Sequence, residues 1–205
     1  MLPYYARLNS SERRPYISIG FMQPVILCSN KLRILPNATP FHFGILSSAM
    51  HMAWVRRVTG RLKSDFQYSV KLVYNNFPWP NATAEQRERV EEKARAVLAA
   101  REPHLPPRGL GTLADLYDPL AMPPELLRAH TELDRAVEKC YRVEPFHSDR
   151  ERVEFLFSLY EKLTAPLLPV TPKTRGRRSQ TAATVQRPSH QRTPPLPGQN
   201  QNTSG

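Results

Sequence analysis

The sequence predicts an α+β protein in three parts: a β-rich portion over residues 1–80, a small helical bundle over 81–165 and a disordered tail over 166–205. Three observations carry this reading. Short runs of β-branched and aromatic residues, bracketed by Pro, Asn and Ser, recur through the first portion. Apolar stripes of helical period, opened by capping signals or prolines, fill the second. The last forty residues are mainly Pro, Thr, Arg, Gln and Ser, with too little apolar surface to offset the entropy of ordering them.

In chain order, residues 4–8 and 16–22 are expected as strands joined by the polar stretch Asn9-Ser10-Ser11-Glu12-Arg13-Arg14-Pro15. A further apolar run follows at 25–28, then alternating basic and apolar residues over 31–35 and a turn at Pro36-Asn37. Met1 leads almost directly into the first strand, so the expectation is that the chain is the end of something longer. Over 41–58, Leu46, Met50, Ala53, Trp54 and Val58 keep helical spacing, and Gly60 is expected to stop that helix. Beyond it Leu62, Ser64, Phe66 and Tyr68 alternate with Lys63, Asp65 and Gln67, the period of an extended strand.

Trp79, locked between Pro78 and Pro80, is expected to plug a core at a domain junction. Thr83 and Gln86 have capping-box spacing, ahead of a stripe of Val90, Ala94, Val97 and Leu98. A loop spans 103–112 and a short helical turn spans 113–117. Pro123-Pro124 opens a second long helix with Leu126, Leu127, His130, Leu133, Val137 and Tyr141 on one side. Ser148 and Glu151 repeat the capping box ahead of Val153, Leu156, Tyr160 and Leu163.

Net charge is +11, unevenly spread. Residues 1–80 hold 10 cations against 2 acids, 81–165 hold 13 against 16, and the tail holds 6 against none. A basic segment that also carries aromatic and amide side chains points to nucleic acid. Within it, Lys63, Asp65 and Gln67 project from one face of an extended segment, directly after a helix end rich in Arg56, Arg57 and Arg61. Such a surface can lie against phosphates while presenting donors and acceptors to base edges. A strand with three solvated polar residues fits the same pattern, and both readings stand at this point.

Enzyme signatures are sparse. There is no phosphate-binding Gly-rich loop, and Gly109-Leu110-Gly111 falls in a proline-rich loop rather than after a strand. His42 and His51 lack a third ligand at metal spacing, so no metal site is predicted. His130 sits on an apolar helix face and is expected as a hydrogen-bonded core residue. Asp115 and Asp118 are explained by caps and turns. Cys28 and Cys140 are unpaired in any motif and are expected as free thiols in a reducing cytoplasm. No apolar run is long enough to span a membrane.

Four phrases carry a resemblance: SSERRPYISIGF (10–21), NATPFHFGILSSAMHMAWVRRVTGRLKSDFQYS (37–69), VYNNFPWP (73–80) and LADLYDPLAMPPELLRAHTELDRAVEKCY (113–141). They resemble the end of MmeI-like (type IIL) restriction–modification enzymes. In these, one polypeptide joins a nuclease, an adenine-N6 DNA methyltransferase, a target-recognition domain and a helical C-terminal domain. The resemblance implies a partial target-recognition domain over 1–80 and the helical C-terminal domain over 81–165. The full-length family uses S-adenosylmethionine, with a Rossmann-like site and an Asn-Pro-Pro-Phe/Tyr motif. This chain contains neither, so it is expected to hold no cofactor and to transfer no methyl group by itself.

Carried over residue by residue, the family's base-reading positions match Lys63, Asp65 and Gln67. Candidates for DNA backbone or groove contacts are Arg56, Arg57, Arg61, Ser47, Ser48, His51, Arg13 and Arg14. The expected partners are double-stranded DNA and an upstream methyltransferase–nuclease polypeptide, in the cytoplasm. Two other functions stay open from sequence: a non-functional remnant of a truncated gene, and a general nucleic-acid-binding protein driven by its basic tail.

Overall fold

The computed structural model describes residues 5–9, 14–22, 33–62, 65–109 and 111–165, with side chains at all of these except 5–9, 22, 62 and 65. The tail, the apolar run 25–28 with Cys28, and Arg13 and Lys63 lie outside the described residues. Strands β1 (Tyr5–Asn9) and β2 (Ser18–Met22) pair antiparallel with Leu8 opposite Ile19. Helices α1 (Pro40–Leu46) and α2 (Ala49–Val58) follow. Next come the short strands β3 (Gly60–Leu62) and β4 (Asp65–Gln67), then a single π-helical turn over Val70–Tyr74. The remaining helices are α3 (Ala84–Arg101), α4 (Leu113–Leu116), α5 (Pro124–Glu138) and α6 (Asp149–Thr164). The protein is α+β, with helix dominant and the described strands in two antiparallel pairs. Among the described residues of the first eighty, helices of 7 and 10 residues accompany strands of 5, 5, 3 and 3.

Capping chemistry sets most of the helix ends. Thr83 and Gln86 form the reciprocal box, and Gln86 Nε2 also donates to the Lys139 carbonyl at 2.9 Å, tying the start of α3 to the end of α5. Thr112 and Asp115 cap α4 in the same way. At α6 only half of the expected box forms. Ser148 accepts from the Glu151 N–H, but the Glu151 carboxylate turns to the His147 N–H and to Arg142.

The periodic stretch 41–58 is two helices, not one. Ser47 Oγ donates to the Phe43 carbonyl at 2.6 Å and Ser48 Oγ to the Ile45 carbonyl at 2.7 Å, so successive hydroxyls compete with the helical ladder and the chain turns. The restarted α2 gains an acceptor from far away: Ala49 N–H donates to Asp134 Oδ1 of α5 at 2.7 Å. Nor is Gly60 the stop. The helix ends on Thr59 in extended conformation, its hydroxyl donating to the Gln67 carbonyl, and Gly60 opens β3.

One core runs through both portions. Tyr16, Ile17 and Ile19 from the β2 segment join Phe43, Ile45, Met50 and Trp54 from α1 and α2, then Val90, Ala94, Val97, Leu126, Leu133 and Leu156 from the later helices. Helix α6 buries Leu156 fully and lays Phe157 and Tyr160 on the Trp54 ring, whereas Leu163 of the expected stripe is 56% exposed. Leu127 of α5 is likewise exposed, and Trp79 is partly buried against Tyr74, Phe77 and His42.

Gly44 marks a close approach of helices. A Cβ there would stand 2.7 Å from Val90 Cγ1 on α3 and 3.3 Å from Leu133 Cδ1 on α5. Valine is stiff at χ1 and cannot swing its methyl away. Gly44→Ala is therefore expected to lose stability. Overpacking of about 1–3 kcal/mol outweighs the roughly 1 kcal/mol that alanine gains in a helix. A urea midpoint equal to or above that of the unaltered protein would show that the helices can part.

A buried polar chain crosses the same core. Arg101 is only 3% exposed. It donates to the Ile19 carbonyl at 2.6 Å and to the Tyr117 hydroxyl, and lies over the Phe43 and Tyr117 rings at 4.9 and 4.8 Å. Tyr117 reaches His130 Nε2 at 2.7 Å, the His130 ring stacks on Tyr16 at 4.0 Å, and the Tyr16 hydroxyl donates to Asp134 Oδ2 at 2.8 Å. His130 is thus the hydrogen-bonded core histidine its spacing predicts.

Candidate nucleic-acid interface

The hairpin β3–β4 leaves the C-terminal end of α2 and pairs Gly60 with Gln67, Arg61 with Phe66 and Leu62 with Asp65. The predicted extended segment is therefore folded back on itself, and its two strands bracket Lys63 and Ser64. Alternation survives within β4. Phe66 is 6% exposed and turned into the core, so Gln67 falls on the opposite, outward face and is exposed there. Arg61, directly across from Phe66, lies over that ring at 5.4 Å. Cross-strand partners share a face, so this cation covers the inward side and Gly60 stands opposite Gln67.

The hairpin is held from behind. Tyr68 reaches His51 Nε2 at 3.0 Å, with both rings in the interior. The Trp54 indole N–H donates to the Val73 carbonyl at 3.1 Å and secures the π-helical turn that follows. Burial pushes the Tyr68 phenol above its ordinary range and holds His51 down to about 3, so the imidazole is neutral.

Three proposed groove or phosphate contacts are thereby corrected. Ser47, Ser48 and His51 are buried at 0–1% exposure. The two hydroxyls are committed to helix carbonyls and the imidazole to Tyr68, so none presents a donor at the surface. Arg56 is part-exposed: its Nη1 meets Asp149 Oδ2 at 2.5 Å and its Nη2 the Pro15 carbonyl at 3.5 Å, anchoring α2 to the start of α6. Arg57 is exposed beside it, and Arg61 stands at the hairpin. Arg14 is half-buried near Asp115, whose carboxyl is held below its usual range by hydrogen bonds from Thr112 and, to a lesser degree, by Arg14. The exposed Lys71 on the π-helical turn was not anticipated; the run Val70-Lys71-Leu72-Val73 has no clear period, and Ser69 as its cap was the available signal.

The cap and turn readings of the two aspartates hold. Asp115 completes the α4 cap, and Asp118 Oδ1 accepts from the Leu120 N–H. Among the described residues no group of three His, Cys, Asp or Glu is placed to hold a metal ion. Cys140 is a buried free thiol pushed up to about 11 by burial, its Sγ donating to the Ala136 carbonyl.

Comparison with known proteins gives a consistent result. Residues 6–81 match the family model of the MmeI target recognition domain, and residues 82–168 match that of the MmeI C-terminal domain. DNA methyltransferase A of Bacillus subtilis (strain 168) is 44% identical over 155 residues, which are 76% of this chain and 17% of that protein. The solved structure of the type IIL restriction–modification enzyme MmeI in complex with DNA superposes with a TM-score of 0.74 at 42% identity, covering 80% of this chain and 22% of that one. The chain thus spans about a fifth of the length of these relatives. Sequence and fold agree, and the chain belongs to the MmeI family, whose target recognition and C-terminal domains it carries.

Proposed function

We propose that this chain is the sequence-reading portion of a site-specific DNA adenine-N6 methyltransferase of the restriction–modification type, and that it is not catalytic on its own. On this reading residues 1–80 are a partial recognition domain, 81–165 a helical support and 166–205 a disordered basic tail. The partners are double-stranded DNA and a methyltransferase–nuclease portion of the enzyme, in the cytoplasm. No helix among the described residues is long and apolar enough to cross a membrane.

The observation that carries the reading is the burial of Phe66 between Asp65 and Gln67. It pins the register of β4 and sets the exposed Gln67 outward. A carboxylate at 65 accepts from cytosine N4–H₂, an amide at 67 pairs with adenine N6 and N7, and a lysine at 63 donates to guanine O6 and N7. On this reading the exposed Arg57 and Arg61 take backbone phosphates, which position the protein without reading sequence. The relatives support the class: one is named a DNA methyltransferase, and the other was solved in complex with DNA.

S-adenosylmethionine is the methyl donor such an enzyme uses. The described residues do not fit it. Their strands pair only as two-stranded antiparallel sheets, with no parallel sheet whose strand ends open onto a nucleoside crevice. Methyl transfer is accordingly assigned to another part of the enzyme.

The test exchanges donor and acceptor. In the reconstituted full-length enzyme, the double variant Lys63→Glu, Asp65→Arg is expected to change the preferred base at one G·C position and leave the others alone. The discrimination should be about 1–3 kcal/mol per good contact. Methylation-site mapping reads the outcome directly. An unchanged motif with retained activity means that these residues do not read the base and that β4 is a solvated strand.

A further inference from the structure

The π-helical turn Val70–Tyr74 exposes large apolar side chains: Val70 is 40% and Leu72 54% exposed, while Val73 is fully buried. One π turn with Val73 inward puts Lys71 on roughly the opposite side, flanked by Val70 and Leu72. The turn is firmly fixed. Ser69 Oγ accepts from the Leu72 N–H, Asn76 Nδ2 donates to the Lys71 and Leu72 carbonyls at 2.8 and 3.1 Å, and Trp54 holds the Val73 carbonyl. A rigid turn that presents a cation between two apolar side chains is shaped to meet a surface that is both anionic and apolar.

Charge selects the occupant. Residues 41–80 hold five cations, Arg56, Arg57, Arg61, Lys63 and Lys71, against Asp65 alone. Arg57 lies one helical turn beyond Trp54, the residue that secures this turn, and the hairpin precedes it by two residues. Duplex DNA combines phosphates with the C5-methyl groups of thymine, which apolar side chains contact in the major groove. We infer that the turn is a second reading element: Lys71 takes a backbone phosphate while Leu72, with Val70 beside it, packs on a thymine methyl. This rests on the DNA-recognition reading above and adds a base-edge contact outside the hairpin.

The test uses the full chain and random-sequence duplexes in which 5-iodo-2′-deoxyuridine replaces thymidine, so that the halogen stands where the methyl group stands. On irradiation, adducts are expected within residues 70–74. Adducts confined to residues 60–67 overturn the inference and leave the recognition reading intact. Failure of the chain to bind duplex DNA at all sinks both. A second measurement compares thymine- with uracil-containing duplexes. The unaltered chain should prefer thymine about fourfold, the worth of one buried methyl group, and Leu72→Ser should abolish that preference. Lys71→Ala should weaken binding to all duplexes alike and reduce the salt slope by about 1. An undiminished thymine preference in Leu72→Ser means that the apolar pair serves a protein surface or none, and overturns the inference. Because the crosslinking needs no variant, the outcome does not depend on how the substitutions fold.

Discussion

Trp54→Ala should cost about 3–5 kcal/mol from the lost side chain and its cavity. Leaving the Val73 carbonyl without its indole donor adds roughly 1–3 kcal/mol. The residue is 1% exposed, and its ring meets Phe157 of α6 at 5.1 Å, Tyr160 at 6.0 Å and Phe77 at 6.2 Å. A domain of this size commonly has about 5–15 kcal/mol in total, so the variant should approach unfolding at room temperature. Trp54→Phe separates the contributions. It keeps an aromatic ring in the site but loses the N–H, and should cost only about 1–3 kcal/mol. Urea unfolding of the two variants checks the order. Equal losses would mean that packing is immaterial and that the Val73 hydrogen bond carries the whole effect.

Mild acid should destabilise the protein strongly. His51 and His130 are fully buried, and among the described residues the Nδ1 of each has no partner. Burial holds His51 down to about 3 and, with Arg101 nearby, holds His130 well below its ordinary value. A histidine depressed in the folded state contributes stability that is complete above its unfolded pKa of about 6.5 and is lost as pH falls. By pH 5 His51 should have forfeited about 2 kcal/mol, at 1.4 kcal/mol per unit below 6.5, and His130 adds a loss of the same sign. Asp134 opposes them. Burial raises its carboxyl to about 6, so its contribution is complete below the ordinary carboxylate value and is lost as pH rises through 6. Going to pH 5 therefore restores about 1 kcal/mol. The net expectation is a loss of stability between pH 7 and pH 5, read as a fall in urea midpoint. In His51→Gln the fall should shrink by about 2 kcal/mol. A flat profile in the unaltered protein would show that these imidazoles titrate normally and that the core opens to water around them.

Much of the helical portion was legible from local chemistry. A capping box needs only two residues three apart, and Thr83 with Gln86 announced the start of α3 without help from the rest of the chain. Pro123-Pro124 did the same for α5, and the apolar company of His130 announced a core residue. In β4, Phe66 flanked by polar neighbours indicated which way the strand faces. Each of these signals acts over one turn or one strand pleat, distances that sequence spacing measures directly.

What spacing could not decide was which polar groups would be taken into the interior. Ser47, Ser48 and His51 look like surface residues beside a run of arginines. They are buried because carbonyls one turn away and Tyr68 satisfy them, and because Asp134, 85 residues further along the chain, supplies the acceptor at which α2 begins. Nor does spacing show that Arg56 pairs with Asp149, 93 residues away. By itself the sequence determined the periods, the caps and the outward face of β4. The tertiary structure alone decided the break between α1 and α2, the fold-back of the hairpin and the choice of Phe157 over Leu163, since each depends on a partner brought near only by folding.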